Sequence, residues 1–274
     1  MSQRRIPAFL EDLIATPDSK RLVSAYDAPA PPAHPTPGVE APHNPAFLER
    51  LMKATPSRVA TGRTGTRYRT ATYLTLRGDH AIAKDAVEAE ISDELAATLD
   101  CVHVVSRCSD RAHYLLHPNE GRRLSDESRR RLEQEGTRDV DVQVILADGL
   151  AAPALQINGP RLLPALTEAL RARGISTGRP ILAKMARVGL QDDIGVLLGA
   201  RATVICLGER PGLGTGDSLS IYLAIGPKLD QDNAEKNCIS NIRPQGLSPE
   251  AAADGAADLL RRGLDLGRGG LDLV

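Results

Sequence analysis

The rhythm of apolar and polar positions along this chain changes once, near Asp139. From Ala46 to about Glu135 charge is dense and the spacing mainly helical; AFLERLMKA, for example, sets Phe47, Leu48, Leu51 and Met52 on one face. Beyond Asp139, short apolar runs alternate with helical stretches. VDVQVILADGL predicts a strand that stops at the polar-glycine turn Asp148-Gly149-Leu150. RLLPALTEALRARG predicts a helix closed by Gly174, RPILAKMARV a second strand, and QDDIGVLLGA a short helix. ATVICLGE and SLSIYLAIGP predict a third and a fourth strand, and SPEAAADGAADLLRRGLDLG a last helix begun by a Ser-Pro cap. Strands alternating with helices indicate an α/β domain with a mostly parallel sheet.

Upstream, the pattern gives way to punctuation. Seven prolines lie between Asp27 and Pro45, and proline fixes φ and removes backbone donors, so this stretch predicts an extended linker. The residues before it are mildly amphipathic and read either as a frayed terminus or as a short helix that docks on a partner. The resulting division is a flexible segment with its linker over 1–45, a mainly helical segment over 46–135, and an α/β domain over 136–274. No internal repeat is present.

Composition narrows the class. A length of 274 residues suits one large domain or a domain with a small appendage. With no tryptophan and two phenylalanines, the core must rest on Leu, Val, Ile and Ala. A net charge of −1 argues against a surface built to cover nucleic acid or an anionic membrane. No apolar run approaches a membrane span and no secretory signal is present. The four cysteines, Cys101, Cys108, Cys206 and Cys238, lack metal or redox spacing, and they read as reduced thiols of a cytoplasmic protein.

In an open parallel sheet, ligands bind outside the carboxyl ends of the strands. Three turns follow predicted strands: Asp148-Gly149-Leu150, Gly208 to Gly214, and the passage NAEKNCISN, which reads as a loop. GERPGLGTG lets backbone approach a ligand or adopt positive φ, but it lacks dinucleotide spacing and a phosphate-loop lysine. Glu209 there is either half of a local ion pair with Arg210 or a carboxylate aimed at a ligand's donors. Cys238 has no histidine near it, since all six histidines precede Asp139, so it reads as a packing contact and not a nucleophile. Arg58, Arg63, Arg67 and Arg69 form either an anion-binding turn, or else a solvated basic loop or a subunit contact. By these residues alone the chain is a ligand-binding α/β module with no catalytic constellation.

Five passages carry a further signal: ATGRTGTRYRT, DVQVILADGL, ARVGLQDDIGVLLGA, VICLGERPGLGTGDSLS and NCISNIRPQG. Running in order from about residue 44 to the C-terminus, they resemble the small (light) subunit of ethanolamine ammonia-lyase. The resemblance implies a Rossmann-like cobalamin-binding domain with helices on both faces, preceded by a helical segment. It implies adenosylcobalamin as cofactor, contacted by Val188, Glu209 and Cys238, and a large subunit that carries the active-site barrel and most substrate contacts. No catalytic residue and no metal ligand is then expected in this chain. The reaction implied is the radical conversion of ethanolamine to acetaldehyde and ammonia, in a higher hetero-oligomer of large–small pairs. No D-x-H-x-x-G motif occurs, so the resemblance implies that cobalt keeps the cofactor's own dimethylbenzimidazole. In some relatives the N-terminal extension goes with packaging in a bacterial microcompartment, which stays open here, as does the role of Arg63, Arg67 and Arg69. Two rivals remain beside it: a stand-alone nucleotide or phosphate-ester binder, and a purely structural assembly subunit.

Overall fold

The computed structural model describes residues 38–55 and 57–273; the readings made for the first 37 residues, including most of the proline-rich linker, lie outside them. The described chain falls into two units. One ends at Asp85 and includes the turn Gly212–Gly214; the other consists of Ala86–Pro211 and the chain from Thr215 on.

In the first unit, helix α1 (Pro45–Ala54) opens on Asn44, whose side chain accepts from Phe47 N at 3.0 Å. None of its residues is buried, and Phe47 and Leu51 are exposed. Strands β1 (Arg63–Thr64) and β2 (Arg67–Tyr68) form an antiparallel hairpin, followed by α2 (Thr70–Glu88), whose last turn enters the second unit. Arg58 pairs with Asp79 at 2.5 Å, Arg69 with Glu40, and the Arg63 guanidinium lies 4.8 Å from the Tyr68 ring centre. Arg58, Arg69 and Arg63 are thus each engaged within this unit.

The second unit continues with α3 (Asp93–Thr98), β3 (Val102–Val105), α4 (Arg111–Leu116), α5 (Asp126–Glu135) and β4 (Val142–Ala147). Then come α6 (Ala152–Ala172), β5 (Ile181–Lys184), α7 (Leu190–Leu198), β6 (Ala202–Gly208), β7 (Leu219–Ile225), β8 (Lys236–Ile242) and α8 (Pro249–Leu266). One six-stranded sheet has the order β3-β5-β4-β6-β7-β8. The first four are parallel neighbours, whereas β7 and β8 extend the sheet antiparallel. The cause lies in the connections. A parallel partner needs a crossover of a dozen or more residues, usually helical. The links 148–180 and 185–201 contain α6 and α7, while 209–218 and 226–235 are too short for such a crossover.

Helices cover both faces. Between the sheet and α5 with α7 lies a core of Val102, Val104, Leu132, Ile145, Ile181, Ile194 and Ile205, edged by Val188 and Tyr222. On the other face α6 packs with α8, whose buried Ala252, Ala253, Ala256 and Ala257 permit close helix approach. Ser248 caps α8 by accepting from Ala251 N at 3.2 Å, and Gly267 ends it at φ 70°. Among the described residues no helix is long and apolar enough to cross a membrane.

Three local readings change. Strand β3 was hidden in the charged segment, because only Val102 and Val104 point inward while His103 between them is exposed. Helix α6 begins at Ala152, well before Arg161, and carries Pro160 and Pro164 inside it. Its buried face outweighs the hydrogen bonds that two prolines remove. Strand β5 ends at Lys184, so MARV is a turn, with Met185 at φ 54°.

Candidate functional site

The carboxyl ends of β4, β5 and β6 converge on one side of the sheet. Asp148, immediately after β4, is buried and ties these ends together. Its carboxylate accepts from Met185 N at 2.8 Å, Ala186 N at 3.1 Å and Arg111 Nη1 at 3.2 Å. Burial pushes its pKa up, against the downward pull of Arg111 and the backbone donors. The bonds to Met185 and Ala186 fix the strained turn that presents Arg187 and Val188. Next to Asp148, Gly149 (φ 55°) rests directly on the end of β6: a Cβ there would lie 2.3 Å from Gly208 O. Neither glycine has room for a methyl group, and Leu150 N donates to Gly208 O at 3.0 Å.

These ends enclose an open cavity of about 410 Å³, walled by Leu150, Val188, Leu207, Tyr222 and the side chains of Arg187 and Glu209. Its volume suits one edge of a large ligand. Glu209 stands at its rim, where its carboxylate accepts from Ser218 Oγ at 2.9 Å, from Ser220 Oγ and from Asn241 N at 3.4 Å. A carboxylate offers about four acceptor positions, so capacity for a ligand donor remains. Among the described residues Glu209 forms no ion pair with Arg210, which sets aside the local-pair reading. Arg210 is exposed and also lines the cavity.

Cys238 is not in a loop. It lies on β8, opposite Tyr222 of β7, which in turn pairs with Ile205 of β6. The reading failed because it placed this passage beyond the carboxyl end of the fourth strand, but β7 runs antiparallel and its far end faces away. The chain returns along β8 and brings the exposed thiol beside the cavity wall. Desolvation raises its pKa, while the Tyr222 and Ser220 hydroxyls, hydrogen-bonded to it, work the other way. Burial in turn pushes the Tyr222 hydroxyl up to about 12. A thiol shifted in this direction is a poor nucleophile at neutral pH.

Of the three residues that the resemblance implies, Val188 and Glu209 line the cavity, and Cys238 lies on β8 beside its wall residue Tyr222. Sequence reasoning missed Ser218, Ser220 and Tyr222. Their signal was present in SLSIY, where polar groups at alternate positions fall on one face of a strand.

The family model for the ethanolamine ammonia-lyase light chain (EutC) matches residues 45–274. The chain belongs to the ethanolamine ammonia-lyase light-chain family. It is also 40% identical, over 227 residues, to the ethanolamine ammonia-lyase small subunit of Fusobacterium nucleatum, covering 83% of this chain and 77% of that one. The light-chain match spans both described units and includes every residue of the cavity. Among the described residues of this light chain, no group of three or more His, Cys, Asp or Glu is arranged to hold a metal ion.

Proposed function

We propose that this ethanolamine ammonia-lyase small subunit holds one side of adenosylcobalamin at an interface with the large subunit, for conversion of ethanolamine to acetaldehyde and ammonia. The observation that carries this reading is the carboxylate of Glu209, oriented by two serines and a backbone N–H at the rim of a partly apolar cavity. A corrin rim alternates apolar edge with carboxamides, which need both acceptors and donors. Glu209 supplies an acceptor for the carboxamides, while Arg187, whose Nε is buried without a partner, supplies donors for a ligand oxygen outside the corrin rim. Val188 and Leu207 offer apolar surface, and Cys238 adds a small polarizable contact beside them. The donor set therefore fits the group.

When bound, the cofactor supplies the radical chemistry by which hydrogen is taken from the substrate. The chain's own residues bind, orient and shield it from water. In this reading the six-stranded sheet with its flanking helices, β3 included, is a Rossmann-like cobalamin-binding domain, and the large–small pairs assemble further.

The test is Glu209→Ala in the co-expressed two-chain complex. Removing an acceptor from a buried hydrogen-bonded contact costs about 1–3 kcal/mol, so cobalamin affinity should fall roughly tenfold or more, with assembly intact. Loss of assembly with undiminished affinity would remove the cofactor role of Glu209. Tight nucleotide binding by the lone chain, with no corrinoid affinity in either preparation, would favour the stand-alone binder.

A further inference from the structure

Two guanidiniums lie over the ring of the fully buried Tyr114, Arg111 at 4.7 Å and Arg187 at 4.2 Å from its centre. Their surroundings differ. Arg111 has a carboxylate partner, Asp148, at 3.2 Å. Arg187 has none among the described residues. Its Nη2 donates to Tyr114 O at 3.0 Å, its backbone N donates to Gly121 O at 2.8 Å, and its Nε is buried with no acceptor. The side chain is therefore held in place while its charge is unanswered. It shares the cavity wall with Arg210, which likewise pairs with no carboxylate, and the lining contains a single carboxylate, Glu209. That carboxylate already accepts from two hydroxyls and a backbone N–H. The wall therefore carries two cations against one anion.

We infer that Arg187, assisted by Arg210, is the binding site for a phosphodiester on the ligand that fills this cavity. Half-buried guanidinium without a counter-ion is costly, and its forked donors match the oxygens of a phosphate. The inference rests on the cobalamin reading above and deepens it. Cobalamin's side chains are neutral carboxamides, and its one anionic substituent is the phosphodiester that links the corrin to its lower base. No D-x-H-x-x-G motif occurs in this chain, so in this reading none of its histidines displaces that base. Glu209 then meets amide N–H groups while Arg187 meets the phosphate, and the cavity reads both halves of the ligand.

The test compares two corrinoids on the cofactor-free two-chain complex, followed by absorbance: cyanocobalamin, and dicyanocobinamide, which ends before the phosphodiester. In Arg187→Met, cyanocobalamin affinity should fall at least about tenfold, the scale of one lost charge-assisted contact. Dicyanocobinamide affinity should be unchanged, which also reports that the site is still folded. Arg210→Ala, at an exposed position, should show the same selectivity with a smaller loss, and Arg187→Lys should recover part of it. Equal loss for both corrinoids in Arg187→Met, or loss for neither, would overturn the phosphate assignment. A wild-type complex that binds neither corrinoid would overturn the cobalamin reading itself.

Discussion

Cys238 is the exposed thiol of the described chain, whereas Cys101, Cys108 and Cys206 are buried. Burial pushes the Cys101 thiol up to about 11 and the Cys206 thiol up to about 12. Thiolate is the reacting species, so native labelling with N-ethylmaleimide should modify Cys238 first, and more slowly than free cysteine at the same pH. In the two-chain complex, cobalamin should slow it further if the thiol faces the cofactor. Peptide mapping by mass spectrometry decides the point; a rate indifferent to cobalamin would separate Cys238 from the ligand. At this scale much of the site was legible. Glu209 was singled out by the dense glycines around it, and Val188 and Cys238 by resemblance. Arg187 was not, because its meaning depends on Tyr114, far away in sequence, and on the absence of a carboxylate that only packing reveals.

Two elements of the site are joined by a buried ion pair. Lys236, at the start of β8, donates to Asp192 of α7 at 2.8 Å and to Gln231 O at 2.9 Å, and both side chains of the pair are almost wholly buried. Helix α7 follows the Val188 turn and β8 carries Cys238, so this pair sets the spacing of two site contributors. Removing one partner of a buried pair typically costs about 3–5 kcal/mol, whereas replacing both with apolar groups is often neutral. Lys236→Met should therefore lower the urea midpoint strongly, and Asp192→Leu with Lys236→Met should recover much of the loss. A single variant as stable as the parent would show that the pair does not hold these elements. Sequence patterns could not display this coupling, since a lysine and an aspartate 44 positions apart look like ordinary surface charges. They did reveal α7, α8 and the cores of β4 and β6, where caps and apolar runs agree with the final packing. They missed β3 and the start of α6, where a short amphipathic strand and helix-interior prolines contradict the local signal.

The whole second unit is cinched at the end of the sheet opposite the cavity by Asp141. Its carboxylate accepts from Ser176 N at 3.0 Å, Ser176 Oγ at 2.7 Å and Arg201 Nη1 at 2.6 Å, joining the approaches to β4, β5 and β6. The Ser176 bonds first, and Arg201 after them, lower its pKa. A lowered acid pKa contributes stability above the unfolded value of about 3.9, lost as pH falls through the folded value. Asp141→Asn should thus be less stable by about 1 kcal/mol at neutral pH, with the difference closing in acid; denaturant titrations near pH 7 and pH 3 would show it. A gap that persists unchanged at low pH would assign the loss to packing. The α/β class was legible from alternating strands and helices, while the antiparallel extension was not, because strand direction depends on how far each link can reach. The strand order has one more consequence, in the timing of synthesis. Strand β3 is made first among the strands of its sheet but pairs only with β5, the third to emerge. Until Lys184 has left the ribosome, Val102 and Val104 have no sheet to join. A nascent chain stalled within α6 is therefore the form most open to mispairing, and the one most dependent on a chaperone.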